Sequence, residues 1–239
     1  EGPTHFSQFT PMLTQIWGNE WYEKGCFSAH FQNMVIDGEE VKAFVEIPKT
    51  GSNITRCWAE KKDGTPVLAA TASIGTADET ILDKRMARLR PYKKLVILED
   101  LHVGLKSEIE ERVIMQPDQH MGNLYPFTLN EKLAAITEKS PYYSTTENSP
   151  FDKPIIPLEM VSVLGMYTAS KVGWSIKQPV IGLFADLEIR MVNGPLLVGE
   201  EYLIKRKVVA LGESRQTEGY WTKSQFYDKN GEELMAEML

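Results

Sequence analysis

Two stretches of the chain carry apolar residues at the spacing of a buried helix. Residues 3–21 (PTHFSQFTPMLTQIWGNEW) and 154–174 (PIIPLEMVSVLGMYTASKVGW) each begin with proline, which the first turn of a helix tolerates, and each end near a glycine. In the second stretch, Leu158, Val161 and Leu164 help to make the predicted helix apolar on nearly every side. Because such a helix is typical of a protein interior, we expect it to be buried.

The same pattern of strands and turns follows each predicted helix. Residues 27–47 and 183–209 each resemble a strand, a turn with the sequence Gly-Glu-Glu, and a second strand. A hairpin comes next in both copies, with Asp63-Gly64 in the first turn and Asn230-Gly231 in the second. The paired strands of these hairpins are predicted at residues 55–60, 67–74, 216–227 and 232–239.

The repeated order of elements predicts an internal duplication. It divides the chain into a first repeat over residues 1–75, a linker over 76–95 and a second repeat over 96–239. The first repeat begins at its helix and lacks the leading strand that the second repeat has. Since few residues are identical between the copies, the alternative is a chance alignment of two ordinary α+β segments.

The segment between the two copies has mixed patterns. Residues 83–90 are charged and helical in spacing, whereas residues 96–103 and 111–115 are predicted to be extended. Residues 128–137 are predicted to form a short helix capped by Asn130 or Thr128.

Composition and charge narrow the function classes. The 239 residues are 42% hydrophobic and carry a net charge of −7, and the densest basic cluster is residues 205–207, so nucleic acid is not an expected partner. Neither a secretory signal nor an apolar run of about 20 residues is found, so no membrane contact is expected. Cys26 and Cys57 do not suggest a disulfide framework, and we expect a cytoplasmic location.

Two local segments resemble the MaoC-like (R)-specific enoyl-CoA hydratases and dehydratases. Residues 98–104 (LEDLHVG) are similar to the segment before the first strand in that family, and residues 153–157 (KPIIP) to the start of its central helix. This resemblance implies an α+β double hot-dog fold, in which antiparallel sheet wraps two central helices. It also implies an acyl thioester as the ligand, carried by coenzyme A or acyl carrier protein, no other cofactor, and a possible homodimer.

The family has an Asp-x-Asn-Pro-x-His loop before its central helix, and this chain departs from it. Residues 138–143 read EKSPYY, so glutamate replaces the aspartate and tyrosine the histidine, while the proline is kept. The resemblance implies that Glu138 is the base or water-holding group and Tyr143 the acid. Tyrosine has an ordinary pKa of about 10 and is a poor base at neutral pH, so a retired site is the alternative.

The resemblance also implies which residues bind the substrate. The N-terminus of the buried helix, at Ile156 and Leu158, would polarise the thioester carbonyl, although Pro157 removes one N–H donor and Glu159 adds a negative charge. Tyr142, Ser162 and His30 are the further predicted substrate-binding residues, in a space lined by phenyl and aliphatic groups. A histidine satisfied within the sheet is the alternative for His30.

Other candidate residues are fewer. Asp118 and His120 could form a pair of base and orienting group, but a surface loop is favoured there, and His5 is assigned a structural role. The four histidines and two cysteines have no metal-ligand spacing, so no metal is expected. The sequence therefore predicts hydration or dehydration of enoyl or 3-hydroxyacyl thioesters, with a non-catalytic acyl-binding module or a hot-dog thioesterase as alternatives.

Overall fold

The nine described strands form one continuous antiparallel sheet. The computed structural model describes residues 2–77, 79–136, 138–147, 149–214 and 216–239. The strands in chain order are β1 Gly25–Phe31, β2 Val41–Val45, β3 Ile54–Lys61, β4 Pro66–Ile74, β5 Glu111–Ile114, β6 Asp186–Met191, β7 Glu201–Glu213, β8 Glu218–Tyr227 and β9 Leu234–Met238.

The order of strands across the sheet shows two units related by the pairing of β1 with β6. The order is β2-β3-β4-β1-β6-β9-β8-β7-β5, so β2, β3 and β4 of the first unit occupy the places of β7, β8 and β9 in the second. At the junction, Ser28 lies opposite Glu188 and Ala29 opposite Leu187. β5 pairs with β7 at one edge of the sheet, whereas β2 is the edge strand of the first unit.

The helices are shorter than the sequence pattern predicts. In the first unit, a 3-10 helix over Gly2–Gln8 is followed by α1 (Thr10–Trp17) and α2 (Glu20–Lys24) instead of one helix. Pro11 lies in the first turn of α1, and Gly18 ends that helix with a φ of 59°, a backbone conformation that cannot continue an α-helix.

The central helix of the second unit is α5, over Leu158–Met166. Residues 154–157, which were predicted to belong to it, are extended because Pro157 disfavours helical geometry at Ile156, and Ile155 pairs with Leu197. Eight of the nine residues of α5 are buried, as expected for a helix that is apolar on nearly every side. The remaining helices are α3 (Ile81–Met86), α4 (Leu129–Ala135), and 3-10 turns at Pro141–Tyr143 and Ala169–Val172.

The hydrophobic core lies between the helices and one face of the sheet, which we call the inner face. Alternation along β1 directs Phe27 and Ala29 toward this face, where Phe27 meets Phe6 and Phe9 with ring centroids 4.6 and 4.7 Å apart. Leu187 and Ile189 of β6 belong to the same buried cluster. The helices of both units therefore share one core across the β1–β6 junction.

Helix α3, in the segment between the units, lies over the opposite, outer face of the sheet at the β1–β6 junction. Thr80 caps α3 through a capping box and also donates to Glu188 on β6, which fixes α3 over the junction.

Residues 96–103, predicted to be extended, form no strand; Leu98 and Leu101 instead pack against Val208 of β7. The Glu218 carboxylate accepts hydrogen bonds from the backbone N–H groups of residues 96–98, so this backbone is satisfied without a partner strand.

The glycines of the two Gly-Glu-Glu turns share a positive φ angle. Gly38 and Gly199 have positive φ angles of 86° and 78°, a region in which residues with a Cβ are disfavoured.

Of the two residues predicted to cap α4, Thr128 is the one that does so, and it forms a capping box with Glu131. The predicted last residue of that helix, Thr137, lies outside the described residues.

A buried ion pair ties the sheet to the C-terminal end of α5. Arg206 of β7 bonds to Glu111 of β5 at 2.9 Å and donates to the Gly165 carbonyl at 2.6 Å, and the two charged side chains are 3% and 0% exposed. Thr168 donates to Glu111, and Ser224 accepts from Arg206. The guanidinium lies at the negative end of the helix dipole, so its position favours both the carboxylate and the helix end.

Replacement of one member of this pair should strongly destabilise the protein. We expect Arg206→Met to lower the free energy of unfolding by about 3–5 kcal/mol, because it leaves the Glu111 charge buried without its cation. Urea unfolding followed by circular dichroism measures the change. Arg112→Met breaks the exposed pair with Glu201 and is the control, with a much smaller loss expected. Equal losses in the two variants would contradict the assignment.

Candidate active site

The loop over residues 138–143 lies against the start of α5. It follows α4 closely, and its 3-10 turn ends at Tyr143. The Ile155 N–H donates to the Tyr142 carbonyl at 2.8 Å, so the loop is fastened to the extended segment that leads into α5. This contact places the predicted catalytic residues, Glu138 and Tyr143, beside the N-terminus of the central helix.

Glu138 is a buried carboxyl group with an altered protonation equilibrium. The residue is 5% exposed, and its Oε2 has no hydrogen-bond partner within the described residues. Burial raises the pKa of Glu138 to about 7, and the negative charge of Glu159 adds to this rise. A hydrogen bond from Tyr143 and the charge of Lys139 act in the opposite direction. Glu138 therefore exchanges a proton near neutral pH, which an ordinary glutamate does not.

Tyr143 is the partner of Glu138 and is equally buried, at 4% exposure. Burial raises the pKa of the Tyr143 hydroxyl well above its ordinary range, and the adjacent Glu138 charge raises it further. The hydroxyl consequently stays protonated and can donate a hydrogen bond, but it cannot act as a base near neutral pH.

The N-terminus of α5 presents fewer N–H groups than the sequence implied. The Ile156 N–H donates to the Leu196 carbonyl at 2.8 Å, and Pro157 has no N–H. The first N–H groups of the helix, at Leu158 and Glu159, cannot have acceptors within the helix. The Ile156 and Leu158 side chains belong to the core, and the Ser162 hydroxyl donates to the Glu159 carbonyl at 2.7 Å. The side chains of the predicted binding residues Ile156, Leu158 and Ser162 are therefore engaged within the protein.

A second charged residue, Lys132 of α4, meets α5 at the same place. Its Nζ lies 3.4 Å from Oε1 of Glu159 and donates to Thr4 Oγ1 at 3.0 Å. These side chains border a small cavity of about 10 Å³, which Tyr125 and Phe127 also line. The site is therefore built from both units, because Thr4 precedes α1 and the other residues belong to the second unit.

Aromatic side chains cover the loop on the side of the first unit. The hydroxyl of Tyr22, in α2, is 3.3 Å from Ser140 Oγ. Its ring packs edge-on against Tyr142 and Phe151, with centroids 5.8 and 6.2 Å away. Burial raises the pKa of Tyr22, so this hydroxyl is also protonated at neutral pH. Tyr142, a predicted binding residue on this loop, thus packs against Tyr22 and Phe151.

His30 lies on the outer face of the sheet, away from the Glu138 loop. Its Nδ1 is 2.9 Å from Oδ1 of Asp186, which also accepts from Arg85 at 2.7 Å. Although burial alone would raise the pKa of Asp186, the hydrogen bond with His30 and the Arg85 charge outweigh it, and the pKa is lowered. His30 is therefore bound within a polar cluster under α3, while Phe27 and Ala29 of the same strand face the core.

The remaining candidates do not join the site. Asp118 and His120 are exposed and bond separately, to Asn130 and to the Gly122 N–H. His5 bonds to Gln8. The larger cleft, of about 360 Å³, is on the outer face and is lined by the following residues: Ile54, Thr55, Arg56, Thr71, Glu79 and Lys84.

The described part of the chain was searched for metal-binding groups and for membrane-spanning helices. Its side chains form no group of three or more histidine, cysteine, aspartate or glutamate residues suited to a metal ion. None of the helices described here has the length and apolar character that a bilayer crossing requires.

The sequence did not identify Lys132 and Tyr22 as parts of the site. Lys132 sits at an ordinary helical position, and Tyr22 lies more than 100 residues before its partner Ser140. The sequence contains no local signal for either contact, since both depend on how the two units pack together.

The altered pKa of Glu138 should make stability depend on pH. Its folded-state pKa of about 7 exceeds the unfolded value of about 4.3, so the folded state binds the proton more tightly and loses stability as pH rises through this window. We expect Glu138→Gln to remove this loss, which is roughly 4 kcal/mol at most, since the two pKa values differ by about 2.7 and one pKa unit corresponds to about 1.4 kcal/mol. Unfolding measured in urea at pH 4.5 and 7.5 tests this. A parallel pH dependence in both proteins would contradict the raised pKa.

Comparison with known proteins supports the fold but not a particular activity. No family model and no curated protein sequence matches the chain. Among solved structures, RV0216 of Mycobacterium tuberculosis, a conserved hypothetical protein with a double hot-dog fold, aligns with a TM-score of 0.57 and 9% identity, over 99% of this chain and 79% of that one. A MaoC domain protein from Chloroflexus aurantiacus aligns with a TM-score of 0.58 and 12% identity, over 90% and 73%.

A third structure, a MaoC-like dehydratase, aligns with a TM-score of 0.52 and 13% identity, over 98% of this chain and 82% of the other. Identities this low establish the architecture alone. The expected α+β class is confirmed: the chain has the double hot-dog fold, in which two helix-and-sheet units share one sheet and one core.

Proposed function

We propose that the protein is an acyl-thioester enzyme that hydrates enoyl thioesters or dehydrates 3-hydroxyacyl thioesters at Glu138. The observation that carries this proposal is a buried carboxyl group with a pKa of about 7 beside the N-terminus of the central helix. A general acid–base group is most effective when its pKa lies near the working pH. The fold shared with a MaoC-like dehydratase supports the same choice of substrate class.

In the proposed reaction, Glu138 serves as both base and acid. Its carboxylate takes a proton from water as the water oxygen bonds to C3 of the enoyl group, and the electron pair of the C2=C3 bond moves to the thioester carbonyl oxygen. The protonated Glu138 then returns its proton to C2, and the carbonyl is restored. Dehydration is the reverse of these steps, and the unpartnered Oε2 is the atom assigned to the proton transfer.

Tyr143 and α5 have supporting roles in this proposal. Because the pKa of Tyr143 is raised, its hydroxyl acts as a hydrogen-bond donor that orients the carboxyl group of Glu138 or the attacking water, and not as the acid first expected from the sequence. The N–H groups of Leu158 and Glu159 would stabilise the negative charge that develops on the thioester oxygen, and the positive end of the helix dipole would stabilise that charge as well.

Substrate access requires the aromatic cover to move. Glu138 and Tyr143 are both buried, and the rings of Tyr22 and Phe151 pack against Tyr142 of the same loop. Separation of Tyr22 from Ser140 would expose the loop on the side of the first unit. The carrier of the thioester, coenzyme A or acyl carrier protein, stays open in this proposal.

The test is an ultraviolet assay with crotonyl-CoA and a medium-chain enoyl-CoA. We expect wild type to consume the enoyl absorbance, Glu138→Gln to lower the rate at least about 100-fold, the usual contribution of a general acid–base group, and Tyr143→Phe to lower it less, because one hydrogen bond is lost. Glu147→Gln and Tyr92→Phe, exposed residues outside the site, are the matched controls and should keep the wild-type rate.

The result also separates the alternatives. Release of free thiol, detected with a disulfide reagent, would indicate thioester hydrolysis and replace the hydratase proposal. Binding of the thioester by calorimetry with neither enoyl loss nor thiol release would indicate an acyl-binding module without catalysis.

A further inference from the structure

A run of positive charge begins in α3 and continues along the segment between the two units. Residues 84–94 (KRMARLRPYKK) contain six lysines and arginines and no acidic residue, in a chain whose net charge is −7. Arg85 is partly buried and bonds to Asp186, and Lys84 lies 3.8 Å from Glu79. The other four cations are exposed and form no ion pair or side-chain hydrogen bond within the described residues: Arg88, Arg90, Lys93 and Lys94.

Two carboxylates hold the backbone of this segment without pairing with the four exposed cations. Glu213 accepts the backbone N–H of Lys93 at 3.2 Å, and Glu218 accepts the N–H groups of residues 96–98. The backbone is therefore fixed on the outer face of the sheet, while the four charged side chains extend into solvent.

Exposed apolar side chains lie on the loop that precedes β6. Ile181 and Leu183 are each 86% exposed, and Val180 is 39% exposed. A single exposed leucine is common on a protein surface. Three large apolar side chains within residues 180–183 instead form a local apolar surface, which is typical of a contact with a partner or a membrane.

Two contacts bring the cationic run and this loop together. At one end, Arg85 Nε donates to Asp186 Oδ1 at 2.7 Å, and at the other end the Lys177 N–H donates to the Ile97 carbonyl at 3.1 Å. Ile176 also packs in the same cluster as Leu95 on the outer face. The run and the loop therefore share both anchor points. We call their exposed side chains the basic–apolar patch, which consists of Arg88, Arg90, Lys93, Lys94, Val180, Ile181 and Leu183.

We propose that the basic–apolar patch binds the surface of a membrane that contains anionic lipids. Lysine and arginine side chains are attracted to negatively charged headgroups, and neighbouring apolar side chains enter the boundary between the headgroups and the acyl chains. A soluble polyanion would neutralise the cations but would leave Ile181 and Leu183 without an apolar environment. A membrane surface accommodates both parts of the patch.

This contact differs from the membrane contact that the sequence argues against. The absence of a long apolar run concerns a segment that crosses the bilayer, whereas the patch would lie on its surface. Neither half of the patch indicates this alone, because the cations and the apolar side chains belong to segments that are far apart in the sequence and meet only in the fold.

The patch and the candidate active site lie toward opposite ends of β6. The strand runs from Asp186 to Met191, roughly 17 Å at about 3.3 Å per residue. Leu196, beyond the far end, accepts the Ile156 N–H beside the Glu138 loop. The inference is consequently independent of the proposed function.

The experiment is sedimentation of the protein with vesicles of phosphatidylcholine alone and of phosphatidylcholine mixed with phosphatidylserine. We expect wild type to bind the mixed vesicles more strongly, and added salt to reduce the difference because it screens the charges. Since each cation near an anionic surface changes partitioning roughly fivefold, removal of four should weaken binding to the mixed vesicles more than about 100-fold. The variant for this test combines the following substitutions: Arg88→Gln, Arg90→Gln, Lys93→Gln and Lys94→Gln.

A second variant and a matched control make the test specific. Ile181→Ser/Leu183→Ser should weaken binding to the mixed vesicles without changing its salt dependence, because it removes apolar area and no charge. The control removes the same amount of charge at four exposed lysines outside the patch and should bind nearly as wild type does. It combines the following substitutions: Lys24→Gln, Lys42→Gln, Lys49→Gln and Lys229→Gln. Circular dichroism checks that each variant is folded.

Three results would overturn the inference. One is binding of wild type to neither kind of vesicle, or to both kinds equally. Another is an equal loss of binding in the four-cation variant and its control, which would show that net charge and not the patch is responsible. The third is unchanged vesicle binding in Ile181→Ser/Leu183→Ser with tight binding of wild type to polyglutamate, which would indicate an acidic protein as the partner and reject the membrane.

Discussion

The pairing of β1 with β6 is the interaction on which the rest of the structure depends. It joins a four-stranded half and a five-stranded half into one sheet, and its register sets Phe27 and Ile189 on the inner face and Ser28 and Glu188 on the outer face. A slip of one residue would exchange these faces, burying charge in the core and exposing aromatic rings. The shared core, the cover by α3 and the approach of Thr4 to the second unit all require this register.

Burial at the start of α5 is what gives the candidate site its chemistry. Glu138 differs from an ordinary surface glutamate only in its surroundings, because desolvation and a neighbouring carboxylate raise its pKa to about 7. The same surroundings keep Tyr143 protonated. The loop over residues 138–143 thus contains one group that titrates near neutral pH and one that stays protonated.

Local signals account for most of what the sequence predicted correctly. Turn glycines such as Gly38 and Gly199 need a positive φ, and hairpin strands alternate with period two, so both are readable over a few residues. The prediction of one continuous helix over residues 3–21 was wrong because Pro11 and Gly18 interrupt it. The prediction of an extended strand over residues 96–103 was wrong because its leucines pack on β7 while Glu218 accepts hydrogen bonds from its backbone. An alternating apolar pattern alone cannot distinguish a segment such as residues 96–103 from a strand.

The composition of the site could not be predicted because it is assembled across the chain. Lys132 meets Thr4 across 128 positions, and Tyr22 meets Ser140 across 118. A short motif records which residues line a loop, but the pKa of Glu138 also depends on its burial in the fold and on Glu159 of α5, which no motif includes. The identity of a loop residue is therefore a weak guide to its chemistry, since the environment that packing creates can change the proton affinity of a carboxyl group.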